Sequence, residues 1–253
     1  MQTHLFFQLH DGLFAMALVM ARIMPAFMIL PFLNNSVLTG AIRMPVAGLI
    51  GAALWPGEVS SIAWSGQEGM LLFLVVKELA IGLFIGLFLV FPIWVMHAAG
   101  SIIDNQRGAT LSSNMDPVSG VDTSELANLF NLFAAVVVLQ SGGMLLLLEV
   151  FEQSYKLWPP QVLDFPSIKV LLPFIVKLVE AAIVLASPLV ASFILTEILL
   201  GMLARYAPQL NAFSLALTVK SIVAFFLLIL YFSPVFPDRI QSLQLLPEMM
   251  RSW

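Results

Sequence analysis

Six apolar runs, separated by polar stretches, organise the chain. The first is Leu13–Leu33, which carries Arg22 and Pro25. The loop NNSVLTGAIRMP follows, and a shorter second run extends from about Ile42 to Trp55, ending at the Pro-Gly break of WPGEVSS. The third run, Met70–Ala99, contains adjacent Lys77 and Glu78, a GLFIG step at Gly82 and Gly86, and Pro92. The fourth is Leu126–Val150, the fifth about Ile168–Leu203, and the sixth Leu215–Phe232. A tail from Ser233 contains SPVFPD and then an amphipathic end. A helical membrane span needs about 20 mostly apolar residues. Stretches such as LLFLVV, MLLLLEVF and FFLLILYF lack the strict alternation of a membrane-barrel strand. Backbone groups in lipid must be satisfied within their own segment, so these runs are expected to be helices. The pattern predicts an all-α integral membrane protein of long hydrophobic hairpins, with about six hydrophobic segments.

Composition agrees with that pattern. Of 253 residues, 60% are hydrophobic and 10% charged, with a mean hydropathy of +0.98; a soluble domain carries roughly 25% charged residues. The net charge of -4 comes with no basic tract, so no nucleic-acid partner is expected. Without cysteine there can be no disulfide, thiolate metal site or cysteine nucleophile. His4, His10 and His97 do not have metal-ligand spacing, and His97 reads as a local hydrogen-bond donor at a helix end. HExxH, GxSxG and P-loop motifs are all missing. The expectation is a non-enzyme with no catalytic residues, metal or cofactor. Topology is poorly marked: Arg43, Arg107 and Arg205 lie in loops on one side, against Lys156, Lys169, Arg239 and Arg251 on the other.

Several charges interrupt the runs: Arg22, Lys77, Glu78, Lys177, Glu180, Glu197 and Lys220. A charge at the bilayer centre costs a few kcal/mol even on lenient scales, so these side chains should face protein, a partner or water. Lys177 and Glu180 are spaced to pair locally. If the chain reverses near Leu210, Glu197 and Lys220 come to similar depth on facing helices and should pair across the hairpin. Such charges can form an ion relay or structural pairs that fix helix register, and their near-balance favours the second. Gly82 and Gly86 allow close helix packing, and Pro188 is expected to kink its helix. In the hairpin turn ARYAPQLNAF, Pro208 ends one helix and Asn211 can cap the next; Arg205 and Gln209 lie beside them.

The most polar stretch follows the third run. In GSIIDNQRGATLSSNMDPVSGVDTSELANLF, Asp104 and Arg107 can pair on one helix face, and Gly108 lets the chain leave helical geometry. Small polar residues follow, with Asp116-Pro117 among them. DTSEL then reads as a helix start, with Asp122 or Thr123 as cap and Glu125 in the first turn. A loop this long between packed helices suits a plug or gate.

These residues carry a resemblance. GSIIDNQRGATLSSNMDPVSGVDTSELANLFNLFAAVV is similar to the SpaR or SctT family of type III secretion export-apparatus proteins, whose flagellar counterpart is FliR. ASPLVASFILTEILLGMLARYAPQLNAFSLALTVKS, ARIMPAFMILPFLN and FPIWVMHAAGSIIDNQRGA resemble the same family, and the match covers essentially the whole chain. DNQRGA, Asp104–Ala109, looks more like the injectisome branch than the flagellar one. The resemblance implies a channel-forming subunit of the export core, through which unfolded proteins cross the bacterial inner membrane. It implies partners of the SctR/FliP and SctS/FliQ types in a helical assembly that protrudes towards the periplasm, beside SctU/FlhB-type and SctV/FlhA-type apparatus proteins. It also implies an SctR-like part over about residues 1–165 and an SctS-like hairpin and tail over about 166–253. A plug would occupy residues 106–122, taking in Gln106, Arg107, Gly108, Ser112, Ser113, Asp116, Pro117, Gly120 and Asp122, next to Asp104. On this reading the hairpin-loop residues Arg205, Pro208, Gln209 and Asn211 face the pore entrance or a neighbouring subunit, and the charges within the runs contact other subunits.

Overall fold

A computed structural model describes residues 2–34, 37–54, 68–109, 124–160, 162, 164–207, 209 and 211–244. Among them the elements are helical: α1 Gln2–Ile29, α2 Gly40–Leu54, α3 Glu68–Arg107, α4 Glu125–Gln140, α5 Gly143–Leu157, α6 Leu171–Tyr206 and α7 Ala212–Ser242, with a 3-10 turn at Ile168–Val170 before α6. The helical apolar class predicted from the runs is the class observed. Three helical stretches, Leu72–Arg107, Ile168–Tyr206 and Phe213–Phe232, are long and apolar enough to cross a membrane. A fourth is available if α4 and α5 together make one broken span. The first two runs yield shorter apolar helices over Ala15–Ile29 and Gly40–Leu54.

Two boundaries differ from the run pattern. The single run Leu126–Val150 divides at Ser141-Gly142, where Gly142 adopts φ 88°. Left-handed backbone there suits glycine, which has no Cβ to clash. The sixth run does not stop at Phe232: α7 continues through Pro234 and Pro237 to Ser242. Each internal proline removes a helical hydrogen bond. Packing opposes that loss, because Phe236 and Ile240 beyond the first proline are fully buried. The Phe236 ring meets Phe130 of α4 edge-on, with centroids 5.2 Å apart. Pro188 likewise sits inside α6 without ending it. Its missing N–H would leave the Val184 carbonyl without its helical donor; Ser187 Oγ donates to that carbonyl at 2.8 Å.

The chain forms two compact units. The first draws on Met1–Val90 and Leu139–Ile168, and so holds α1, α2, the N-terminal half of α3 and α5. Its core is built where α1 and α3 approach closely. A Cβ added at Gly82 would lie 1.8 Å from the Arg22 carbonyl oxygen, and one at Gly86 would lie 2.8 Å from Ala26 Cα. The second unit draws on Phe91–Val138 and Lys169–Gln244, and so holds the rest of α3, most of α4 and the α6–α7 hairpin. Gly100 serves α3 and α4 in the same way, since a Cβ there would meet Ala127 Cα at 2.7 Å.

Backbone is the neighbour at Gly82, so a methyl group there cannot be accommodated by a side-chain rotation. Gly82→Ala should lower the melting temperature of the full chain in detergent by on the order of 5 °C, from an overpacking cost of about 1–3 kcal/mol. Gly201, with nothing within 4 Å of its built Cβ, is the control: Gly201→Ala should leave the melting temperature unchanged or raise it. Equal behaviour of the two variants would contradict the packing role of Gly82.

Candidate functional site

The charges that interrupt the runs fall into three groups. In the first unit, Arg22, Lys77 and Glu78 are buried together. Arg22 Nε donates to Glu78 Oε2 at 2.5 Å. Arg22 Nη1 donates to Ser154 Oγ at 3.2 Å and Nη2 donates to the Trp158 carbonyl at 2.8 Å. The guanidinium lies 4.1 Å from the centre of the Tyr155 ring, a cation–π distance. Lys77 Nζ donates to the carbonyls of Pro159 at 2.9 Å, Pro160 at 3.3 Å and Val162 at 2.7 Å, and lies 3.2 Å from Glu78 Oε1. Two cations therefore share one carboxylate, and main-chain carbonyls supply the remaining acceptors.

The sequence provides for this locally. α5 ends at Leu157, and its last carbonyls have no intrahelical donors. In the WPP turn only Trp158 carries an N–H, which donates to the Ser154 carbonyl at 2.9 Å; Pro159 and Pro160 have none to offer the carbonyls that follow. Cations beside a helix C-terminus also meet the negative end of its dipole. Its donors directed at three carbonyls, Lys77 cross-links α3 to the turn after α5. Ser154, Tyr155 and the carbonyls of Trp158, Pro159, Pro160 and Val162 are partners that sequence reasoning missed; the donor-poor WPP turn after an apolar helix was the available signal.

The second group, in the second unit, flanks residues 110–123. Asp104 lies near the end of α3. Its Oδ1 accepts from Arg107 Nε at 2.7 Å, the pair expected from their spacing. Its Oδ2 accepts from Ser124 Oγ at 2.6 Å and from the Leu126 N–H at 3.0 Å. Ser124 Oγ in turn accepts from the Ala127 N–H at 3.1 Å. The cap of α4 is thus Ser124 rather than Asp122 or Thr123, reinforced by a carboxylate from another helix. That carboxylate sits at the positive end of α4, where negative charge is stabilised. Gly108, just past α3, has φ 78° as its exit role requires. Arg107 also places its guanidinium carbon 5.4 Å from the Phe225 ring centre on α7.

The third group ties the α6–α7 hairpin together and joins it to the second. Lys220 is buried, pairs with Glu197 across the hairpin, and donates to the Gln106 carbonyl at 3.0 Å. Glu197 itself is 54% exposed. Lys177 and Glu180, spaced to pair, do not: both are exposed and form no ion pair with each other. Water solvates both ends of such a pair, and an exposed i,i+3 contact gains too little to fix two flexible side chains. Arg205, Gln209 and Asn211 are exposed at the turn. Asn211 is the cap of α7, its Oδ1 accepting from the Ser214 N–H at 3.3 Å.

Ser112, Ser113, Asp116, Pro117, Gly120, Asp122 and Pro208 lie outside the described residues. His97 is not at a helix end but well inside α3, with its Nδ1 buried and without a hydrogen-bond partner. Among the described residues no three His, Asp or Glu side chains converge on a point that could hold a metal ion. The site's chemistry is therefore charge pairing and helix capping.

Residues 13–245 match the family model described as bacterial export proteins, family 1. The chain is 46% identical to the surface presentation of antigens protein SpaR of Salmonella typhimurium, over 98% of this chain and 94% of the relative. It is 32% identical to the Yop proteins translocation protein T of Yersinia pestis, over 85% of this chain and 84% of the relative. Identity to the flagellar biosynthetic protein FliR of Bacillus subtilis is 31%, over 64% of this chain and 65% of the relative. With a match over nearly its whole length, on a helical apolar scaffold, the chain belongs to the bacterial export proteins of family 1.

Proposed function

We infer that the chain is a subunit of the type III secretion export apparatus at the bacterial inner membrane, with a structural rather than enzymatic role. The observation that carries this is the 46% identity to protein SpaR over nearly the full length of both chains. The long apolar helices support a membrane location. In finer detail, the chain forms part of a channel together with SctR- and SctS-type subunits, in an assembly that protrudes towards the periplasm. Through it, unfolded secreted proteins are threaded past SctU- and SctV-type apparatus proteins. An SctR-like part covers about residues 1–165 and an SctS-like hairpin and tail about 166–253. Residues 106–122 form the plug of the closed channel. Support for a distinct role of that stretch comes from how its ends are held: Asp104 bonds Arg107 near its start and Ser124 just past its end, and Lys220 holds the Gln106 carbonyl.

Co-expression with SctR- and SctS-type subunits tests the function directly. The chain should co-purify with them in one large complex. A monodisperse chain that transports a small solute by itself would overturn the assignment.

Deleting Gly108–Gly120 should leave an assembled complex that leaks small ions or molecules when closed. Unchanged permeability in a complex recovered intact would remove the plug role.

The hairpin pair gives an ordered series. Glu197 is half exposed, so Glu197→Gln should cost about 1 kcal/mol or less and reduce secretion little. Lys220→Gln should reduce it strongly, because the ammonium also serves the Gln106 carbonyl. The double reversal Glu197→Lys with Lys220→Glu should restore secretion only in part, since a carboxylate cannot donate to that carbonyl. Secretion measured across the four proteins checks the order; equal loss in both single glutamine variants would contradict it.

A further inference from the structure

Arg43 stands apart from the other buried charges of the first unit. It is only 7% exposed, yet its guanidinium makes no hydrogen bond or ion pair with any described residue, and its Nε is enclosed without an acceptor. It belongs to the first turn of α2, a helix whose sequence GAIRMPVAGLIGAAL contains no other ionisable residue. From Leu30 to Leu54 there is no acidic residue at all. The N-terminal end of a helix is itself positive, so the helix and the guanidinium add in sign. Glu78, the buried carboxylate of the same unit, is already shared by Arg22 and Lys77. A buried cation without a partner is strongly unfavourable. Among the described residues no anion serves it, and a ligand from outside the chain can.

The surroundings indicate which anion. Ile42 and Met44, on either side of Arg43, are exposed, as are Val37 before the helix and Leu49 further along it. Charge recognition and apolar contact are therefore required side by side, at the end of an apolar helix that follows a polar loop. A phospholipid supplies both. Its phosphate oxygens match the planar fork of a guanidinium, and its acyl chains can lie against Ile42, Met44 and Leu49. Basic side chains near the ends of membrane helices characteristically reach headgroups in this way. A partner carboxylate would satisfy the charge, but α2 exposes no second polar side chain against which a protein partner could set its register. We propose that Arg43 and the first turn of α2 form a binding site for the phosphate group of a membrane phospholipid.

The full chain in detergent can be incubated with phosphatidylglycerol, or with diacylglycerol of the same acyl chains, and retained lipid counted by native mass spectrometry. The unmodified chain should retain phosphatidylglycerol and release diacylglycerol. Arg43→Gln should weaken retention about tenfold, the loss of roughly one charge-assisted hydrogen bond. Arg43→Lys, which keeps the charge and loses the fork, should fall between. Equal retention of the two lipids by the unmodified chain overturns the proposal, and this arm holds even if a variant fails to fold. Retention unchanged in Arg43→Gln overturns it as well. Displacement of the lipid by millimolar inorganic phosphate would make this a free-anion site instead. If Arg43→Gln loses a co-purifying subunit while keeping its lipid, the acceptor is a protein carboxylate and the proposal fails.

Discussion

Glu78 is the residue on which the first unit depends. A lone carboxylate buried in an apolar chain would be destabilising, and so would either cation beside it. Together with Arg22, Lys77 and the carbonyls after α5, they form a group in which each charge has an opposite or a dipole to face. The helices must be very close for this to happen. Gly82, one turn beyond Glu78, provides that closeness: its Cα side lies against the backbone carbonyl of Arg22, whose side chain is the one that reaches Glu78. The glycine contact and the ion pair are two parts of a single joint between α1 and α3.

The second unit repeats the device with different chemistry. Gly100 brings α3 against the backbone of Ala127, and Asp104, one turn further along, uses the proximity to accept from Ser124 and the Leu126 N–H. In one unit the charge neutralises cations, and in the other it caps a helix. Both follow the same rule for an apolar chain: a small residue sets the helix spacing, and a charged residue a turn away exploits it to satisfy groups that water would otherwise serve. Lys220 completes the pattern by serving a carbonyl in the last turn of α3, where a cation meets the negative end of the helix.

Much of this was legible in the sequence where the determinant is local or periodic. The apolar runs gave the helices, the Asp104–Arg107 spacing gave a real pair, and a reversal near Leu210 put Lys220 opposite Glu197. Asn211 behaves as the cap its residue type suggests. What was not legible depends on tertiary packing. α7 passes Pro234 and Pro237 because Phe236, between them, and Ile240, beyond both, are buried, a gain that no local propensity records. Ser124 displaces the expected caps because Asp104 arrives from another helix. Arg22 was identifiable as a charge in an apolar run, but its acceptors are distant in sequence: Glu78 is 56 residues away, Ser154 is 132, and the Trp158 carbonyl, a main-chain atom that no residue type announces, is 136. The break at Ser141-Gly142 was visible as two adjacent glycines, yet an unbroken apolar run masked it.

The distribution of satisfied and unsatisfied charge bears on which surfaces can take part in an assembly. Arg22, Lys77 and Glu78 are paired within their own unit; recruiting one for a contact with another subunit would strand the others in an apolar interior, at several kcal/mol per uncompensated ion. Lys177 and Glu180 are in the opposite situation. They stand exposed on α6, amid apolar side chains that are exposed as well. In a bilayer such a surface is unfavourable, because lipid tails solvate the apolar residues but not the charges. Water would solvate the charges but not the surrounding Ile175, Val176, Val179 and Ile183. A protein surface with apolar side chains and its own complementary charges suits both. The same physical argument that makes the first unit self-sufficient therefore makes the α6 face incomplete alone, which accords with the proposed role of the chain as one subunit of a larger export channel.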